Sequence, residues 1–148
     1  MKECRRWLPL VPLLLVVCAP GCNRGPAMGK VSGSVSLDGT PLKFGSVMFQ
    51  NVSGGQPSVG EIQPDGSFVL STFRPEDGAI VGNHKVRVVC YSTQDPANKR
   101  SGPMGDSLGA LLIPRKYASL GTSGLSAEVT AEGLEDFKIE LSSKGPGR

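Results

Sequence analysis

Val31-Ser32-Gly33-Ser34-Val35-Ser36-Leu37-Asp38-Gly39 sets Val31, Val35 and Leu37 in alternation with three serines and closes on an Asp-Gly pair. Neighbouring side chains of an extended chain point to opposite faces, so this alternation describes a half-buried strand. The Asp-Gly pair describes the tight turn that ends it. The same pattern recurs downstream. Phe44 to Gln50 puts Val47 and Phe49 on one face, and Asn51 to Gln56 reads as a loop. Ser58 to Ile62 and Ser67 to Ser71 flank Pro64-Asp65-Gly66, which predicts a hairpin with Phe68 and Leu70 on its inner side. Arg74 to Asn83 reads as a loop. His84 to Ser92 is the longest strand candidate, and its Val88-Val89 centre predicts a central position or burial on both faces. Leu125 to Thr130 and Phe137 to Leu141 complete the set.

No stretch of eleven or more residues carries a capped 3.6-residue period, so no substantial helix is expected. Seven short strands separated by Gly- and Pro-bearing turns predict an all-β antiparallel sandwich or barrel. Its core is expected to hold Val35, Phe49, Phe68, Leu70, Val86, Val88, Val129, Phe137 and Ile139. One interval breaks the rhythm. Thr93 to Gly124 lacks a clear strand and is longer than a compact domain usually leaves structureless. Leu112, Ile113 and Tyr117 are too apolar to hang in water and are expected to pack on the sandwich, with Asp95 to Asp106 left mobile.

The N-terminus carries an address. Lys2, Arg5 and Arg6 precede an apolar run from Trp7 to Val17, and Ala19-Pro20-Gly21-Cys22 follows. This order is that of a secretory signal. The run is shorter than the roughly 20 residues a membrane span needs, and Pro9 and Pro12 interrupt it. Small residues before Cys22 resemble a bacterial lipobox, which implies cleavage of residues 1–21 and a lipid on the Cys22 sulfur. Cys18 competes for that role, but β-branched Val17 precedes it. Asn23 is not the Asp that favours inner-membrane retention, so an outer-membrane destination is expected over an inner-membrane one. Residues 22–29 read as a lipidated tether, 30–142 as the folded domain and 143–148 as a disordered tail.

Residues 22–148 hold thirteen basic and twelve acidic side chains, so the +3 of the whole chain falls to +1 without the signal. One ordinary domain fits this length. The charges are scattered and form no basic run, which argues against nucleic acid as a partner. With Cys4 and Cys18 in the signal and Cys22 acylated, Cys90 has no disulfide partner. Its place on the face of Val86 and Val88 predicts a small buried hydrophobe.

Leu37-Asp38-Gly39-Thr40-Pro41-Leu42 after the first strand resembles the opening of transthyretin-like, carboxypeptidase regulatory-like domains. Pro64-Asp65-Gly66-Ser67-Phe68 resembles their Asp-Gly-x-Phe hairpin. Gly82-Asn83-His84-Lys85-Val86-Arg87-Val88 resembles their Gly-x-Tyr-x-Val-x-Val strand, with His84 at the aromatic position. Ile113-Pro114-Arg115-Lys116-Tyr117 and Thr122-Ser123-Gly124-Leu125 are similar to small bacterial lipoproteins that carry this domain. The resemblance covers residues 30 to 142 and implies a seven-stranded Greek-key β-sandwich acting as a non-catalytic module.

Catalytic and metal constellations are missing from the sequence. His84 is the sole imidazole, so neither a zinc carboxypeptidase ligand set nor a Ser-His-Asp triad can be assembled. It is read instead as a strand residue covering a sandwich edge. A transthyretin-related hydrolase is a weaker alternative, because that family uses several histidines and a C-terminal tail that Ser142 to Arg148 does not reproduce. Asp38 and Asp65 read as turn residues rather than calcium ligands. Glu76-Asp77 and Glu135-Asp136 read as solvated loop ends, and Asn51-Val52-Ser53 as an incidental glycosylation pattern. No cofactor or metal is expected. The expected function is a membrane-anchored, non-enzymatic envelope module that contacts another envelope protein through residues 93–124. The alternative is carbohydrate binding, which needs exposed aromatic platforms.

Overall fold

The computed structural model describes residues 25–97 and 109–144. The signal segment, Cys22, residues 98–108 and the last four residues lie outside them. Among the described residues the chain forms ten strands, two single 3-10 turns and no α-helix. The strands are β1 (Met28–Gly29), β2 (Val31–Leu37), β3 (Thr40–Pro41), β4 (Ser46–Asn51), β5 (Ser58–Glu61), β6 (Ser67–Val69), β7 (Ala79–Ile80), β8 (Gly82–Val89), β9 (Leu125–Val129) and β10 (Leu134–Leu141).

Two four-stranded sheets hold the core between them in a β-sandwich-like arrangement. One runs β5-β4-β8-β9 and is antiparallel throughout. In the other, β2 pairs β10 along one side and meets both β3 and β6 on the other. The expected all-antiparallel pairing does not hold here, since β2 and β10 are parallel, with Val35 opposite Ile139 and Leu37 opposite Leu141. Parallel pairing needs a long connection rather than a turn, and the long stretch of chain between β2 and β10 supplies it. A small third sheet joins β1 to β7, so Met28 and Gly29 belong to the folded body rather than to the tether, and the expected Arg74–Asn83 loop contains a strand.

The alternation in the sequence decides which side chains enter the core. Val35, Phe49, Phe68, Leu70, Val86, Val88, Val129 and Ile139 are buried as expected, and Phe137 is half-buried against them. Phe49 is the hub. Its ring lies 6.4 Å from Phe68, 5.9 Å edge-on from Phe137 and 5.9 Å from His84, which ties β4 to strands of both sheets. Gly33 makes this possible, because a Cβ there would collide with the Phe137 carbonyl and press on the Phe68 ring.

Turn chemistry follows the sequence closely. Asp38 and Gly39 both have positive φ, 50° and 80°, the requirement of a two-residue hairpin between β2 and β3. Asp65 caps its own turn, accepting the Ser67 amide at 2.9 Å and the Ser67 hydroxyl at 2.6 Å. Yet the strands flanking Asp65-Gly66 part company: β5 joins β4 while β6 joins β2, leaving a single Val59–Ser71 bridge between them. The predicted hairpin is therefore a corner between sheets. Gly60 marks the crossing, where a Cβ would sit 2.5 Å from the Val69 carbonyl.

Strand registers give the sandwich two distinct ends. At one, Met28 faces Ile80, Asn51 faces His84, Gly82 faces Val129 and Leu134 faces Val31. At the opposite end Leu37 faces Thr40, while Ser46 faces both Glu61 and Val89. The chain enters at the first end, and the 93–124 excursion leaves from the second.

Candidate functional site

The 93–124 excursion is held at both of its stems. Tyr91 bridges to Leu111, the Ser92 amide donates to the Ala110 carbonyl at 2.9 Å, and the Leu112 amide donates to the Cys90 carbonyl at 2.8 Å. The Ser92 hydroxyl accepts the Ala110 amide at 3.0 Å, closing the same ladder. On the outgoing side Ser92–Gln94 forms a 3-10 turn, with the Gln94 side chain accepting the Tyr91 amide at 2.8 Å. Asp95 accepts the Ala97 amide at 2.8 Å. Of Asp95 to Asp106, the interval expected to be mobile, residues 98–106 lie outside the described residues.

The returning limb is nailed to the core. Ile113 and Tyr117 are buried, as expected, but Leu112 is 48% exposed. The Leu112 amide is spent on Cys90, and neighbours along an extended segment face opposite ways, so Ile113 takes the inward position and Leu112 the outward one. Tyr117 sits in the 3-10 turn Arg115–Ala118, its hydroxyl accepting the Ser142 amide at 3.0 Å while the Lys116 ammonium lies 4.6 Å above its ring. Ser123, noted in the sequence only as part of Thr122-Ser123-Gly124-Leu125 and given no role there, is buried at 6% exposure. Its hydroxyl donates to the Val86 carbonyl at 2.5 Å and accepts the Leu125 amide at 3.3 Å. No periodic signal marks such a residue, whose role comes from a neighbour far away in sequence.

Two shallow grooves flank this stem. One is lined by Tyr91, Ala110, Leu111, Arg115 and Ala118. The other is lined by Phe44, Glu61, Gln63, Pro64, Gln94 and Pro96. Both mix apolar and polar lining residues.

The reactive side chains do not converge here. His84 faces inward on β8, 2% exposed, with Nε2 2.6 Å from the Ile80 carbonyl, the Phe49 ring beside it and Nδ1 without a hydrogen-bond partner. The reading of His84 as an edge residue is thus corrected. β8 is an inner strand, and His84 shares its face with Val86 and Val88. Cys90 is free and 3% exposed. Burial, with the nearby Asp95 charge, pushes its thiol above the ordinary value, away from the thiolate a nucleophile needs. Among the described residues no three His, Cys, Asp or Glu side chains gather as a metal would require. No described helix is long and apolar enough to cross a membrane.

The paired carboxylates differ. Glu135 and Asp136 are exposed at the register shift of β10. Asp77 is no solvated loop end: it accepts the amides of Thr72 at 2.6 Å and of Phe73 and Arg74 at 2.9 Å each. Burial draws its carboxyl upward, but these three donors outweigh it and hold the group below the ordinary carboxylate value. Asn51 is also engaged, its amide donating to the Val81 carbonyl at 3.3 Å and its carbonyl accepting the Ser53 amide at 2.8 Å. Three of the five Phe rings pack together in the core and Phe44 packs partly against it, leaving Phe73 well exposed. Cys22 lies outside the described residues. No family model, curated protein or solved structure matches the chain.

Proposed function

We propose that this chain is a lipid-anchored protein of the cell envelope, acylated at Cys22, whose sandwich is a transthyretin-like Greek-key module that works without catalysis. It acts by presenting the 93–124 excursion to another envelope protein. The observation that carries this reading is the stem. A loop that merely bridged two strands needs no closing ladder, yet Ser92, Cys90, Ala110 and Leu112 zip its two limbs together, and Tyr117 and Ser123 fix the return. The body thereby holds the excursion at the end opposite to where the chain enters, directed away from the anchor. The two flanking grooves enlarge the surface on offer.

Crosslinking the full-length lipoprotein in its own cells tests this. Deletion of residues 95–106 is expected to abolish the crosslinked products while leaving the protein folded, since the ladder and the Tyr117 anchor remain. Products that persist unchanged in the deletion variant would refute the assignment.

A further inference from the structure

Phe73 is 54% exposed, yet the loop that carries it is closely tied down. Besides the three amides held by Asp77, the Ser71 hydroxyl accepts the Glu76 amide at 2.9 Å and the Thr72 hydroxyl donates to the Gly78 carbonyl at 2.6 Å. A loop so fixed does not swing its aromatic ring inward. The ring stays in water unless something outside the domain covers it. Around it, Gly25, Pro26, Met28, Arg74 and Asp77 line a shallow, largely apolar groove, and Val52, 58% exposed, lies at the same end of the sandwich.

The path of the chain says what covers this face. The Ala27 carbonyl accepts the Val81 amide at 2.9 Å and Met28 pairs with Ile80, so the free tether ends sooner than its sequence suggests. From Cys22 to Gly25, a residue of the groove itself, the chain spans at most about 11 Å when fully extended. Such a tether cannot hold the body clear of the surface to which its lipid is anchored. The nearest part of the body is the groove. We infer that the face made by Pro26, Met28, Phe73 and Arg74 rests on the lipid bilayer, seating the sandwich end-on. This inference depends on the proposed acylation of Cys22.

The chemistry of the face suits that occupant. An aromatic ring beside a guanidinium matches the boundary between acyl chains and phosphate headgroups. The Asp77 carboxylate is consumed by backbone donors, and Glu76 offsets the charge of Arg74. Attraction therefore rests on burial of Phe73 and its apolar neighbours more than on net charge, and the contact should withstand added salt.

Tryptophan reporters decide the matter. Trp7, the one native tryptophan, leaves with the signal, so an introduced indole is read alone. Full-length Phe73→Trp and, separately, Leu112→Trp at the opposite end are purified as the lipoprotein and reconstituted into vesicles of phosphatidylethanolamine and phosphatidylglycerol, with and without brominated acyl chains. At position 73 the emission should shift to the blue and be quenched by the brominated lipid, in low and high salt alike. At position 112 it should stay that of an indole in water. Val52→Trp serves as a second reporter should Phe73→Trp loosen the loop. An unquenched indole at 73, a blue shift without bromine quenching, as a protein partner or second copy would give, or equal quenching at both ends overturns the inference. Mass spectrometry of the same sample separates the two failures. Acylated Cys22 with an unquenched reporter refutes the seating alone, whereas unmodified Cys22 removes the anchored reading and the seating together.

Discussion

At the scale of single residues, the core turns on Phe49. It is wholly buried and touches the rings of Phe68, Phe137 and His84, so its removal opens a cavity between the sheets rather than at a margin. Phe49→Ala is expected to cost about 3–5 kcal/mol, measured as a lowered urea midpoint of unfolding. A loss below about 1 kcal/mol would mean that the sheets close over the gap or are not joined through this ring. His84 shows how a polar residue can read wrongly from sequence alone. Its parity with Val86 and Val88 put it inside, while its chemistry suggested the surface. The fold accommodates it by giving Nε2 the Ile80 carbonyl and packing the ring, tilted by 48°, against Phe49.

At the scale of elements, the strands were legible but their partners less so. Alternation located β2, β4, β8, β9 and β10 to within a few residues, because each buries one face and the period of two is then imposed on the sequence. The Asp65-Gly66 turn was equally plain. That its two strands belong to different sheets was not, since a corner and a hairpin share the same turn residues, and the pairing of β5 with β4 and of β6 with β2 is what distinguishes them. The 71–78 loop carried still less signal: Asp77 lies among ordinary loop residues, and its three amide partners are set by the path of the backbone. Asp77→Asn replaces one carboxylate oxygen with an amide NH2 group, which donates and cannot accept a hydrogen bond, and is expected to destabilise the domain by roughly 1–3 kcal/mol. Hydrogen exchange should locate the change at the Thr72, Phe73 and Arg74 amides. Exchange at those three amides unchanged from the parent protein would show that the carboxylate does not order the loop.

At the scale of the whole molecule, several carboxylates are tuned in one direction. Hydrogen bonds from the Ser143 hydroxyl and then its amide hold Asp38 below the ordinary value of 3.8, and the Ser67 hydroxyl and then its amide do the same for Asp65. Asp77 is likewise lowered, and Glu132 lies below 4.5 chiefly through its own backbone amide and then Thr130. A group more acidic in the folded state contributes stability above its unfolded pKa and loses it as pH falls through the folded one. The melting temperature should therefore be level near neutrality and fall as pH drops below these ordinary values. Cys90 acts in reverse: its raised pKa gives stability that is present below 9.0 and lost as pH climbs above it. A melting temperature that rises on acidification would contradict the carboxylate assignments. The amino-acid sequence by itself determined the all-β class, most of the buried set, the turns and a stretch too apolar to float free, because those properties depend on neighbours one to four residues apart. The parallel pairing of β2 with β10, the inward His84, the outward Leu112, the docking of Met28–Gly29 and the opposition of the chain's entry to its long excursion were decided by the tertiary structure. Each depends on which distant backbone groups find one another, and local periodicity carries no record of that choice.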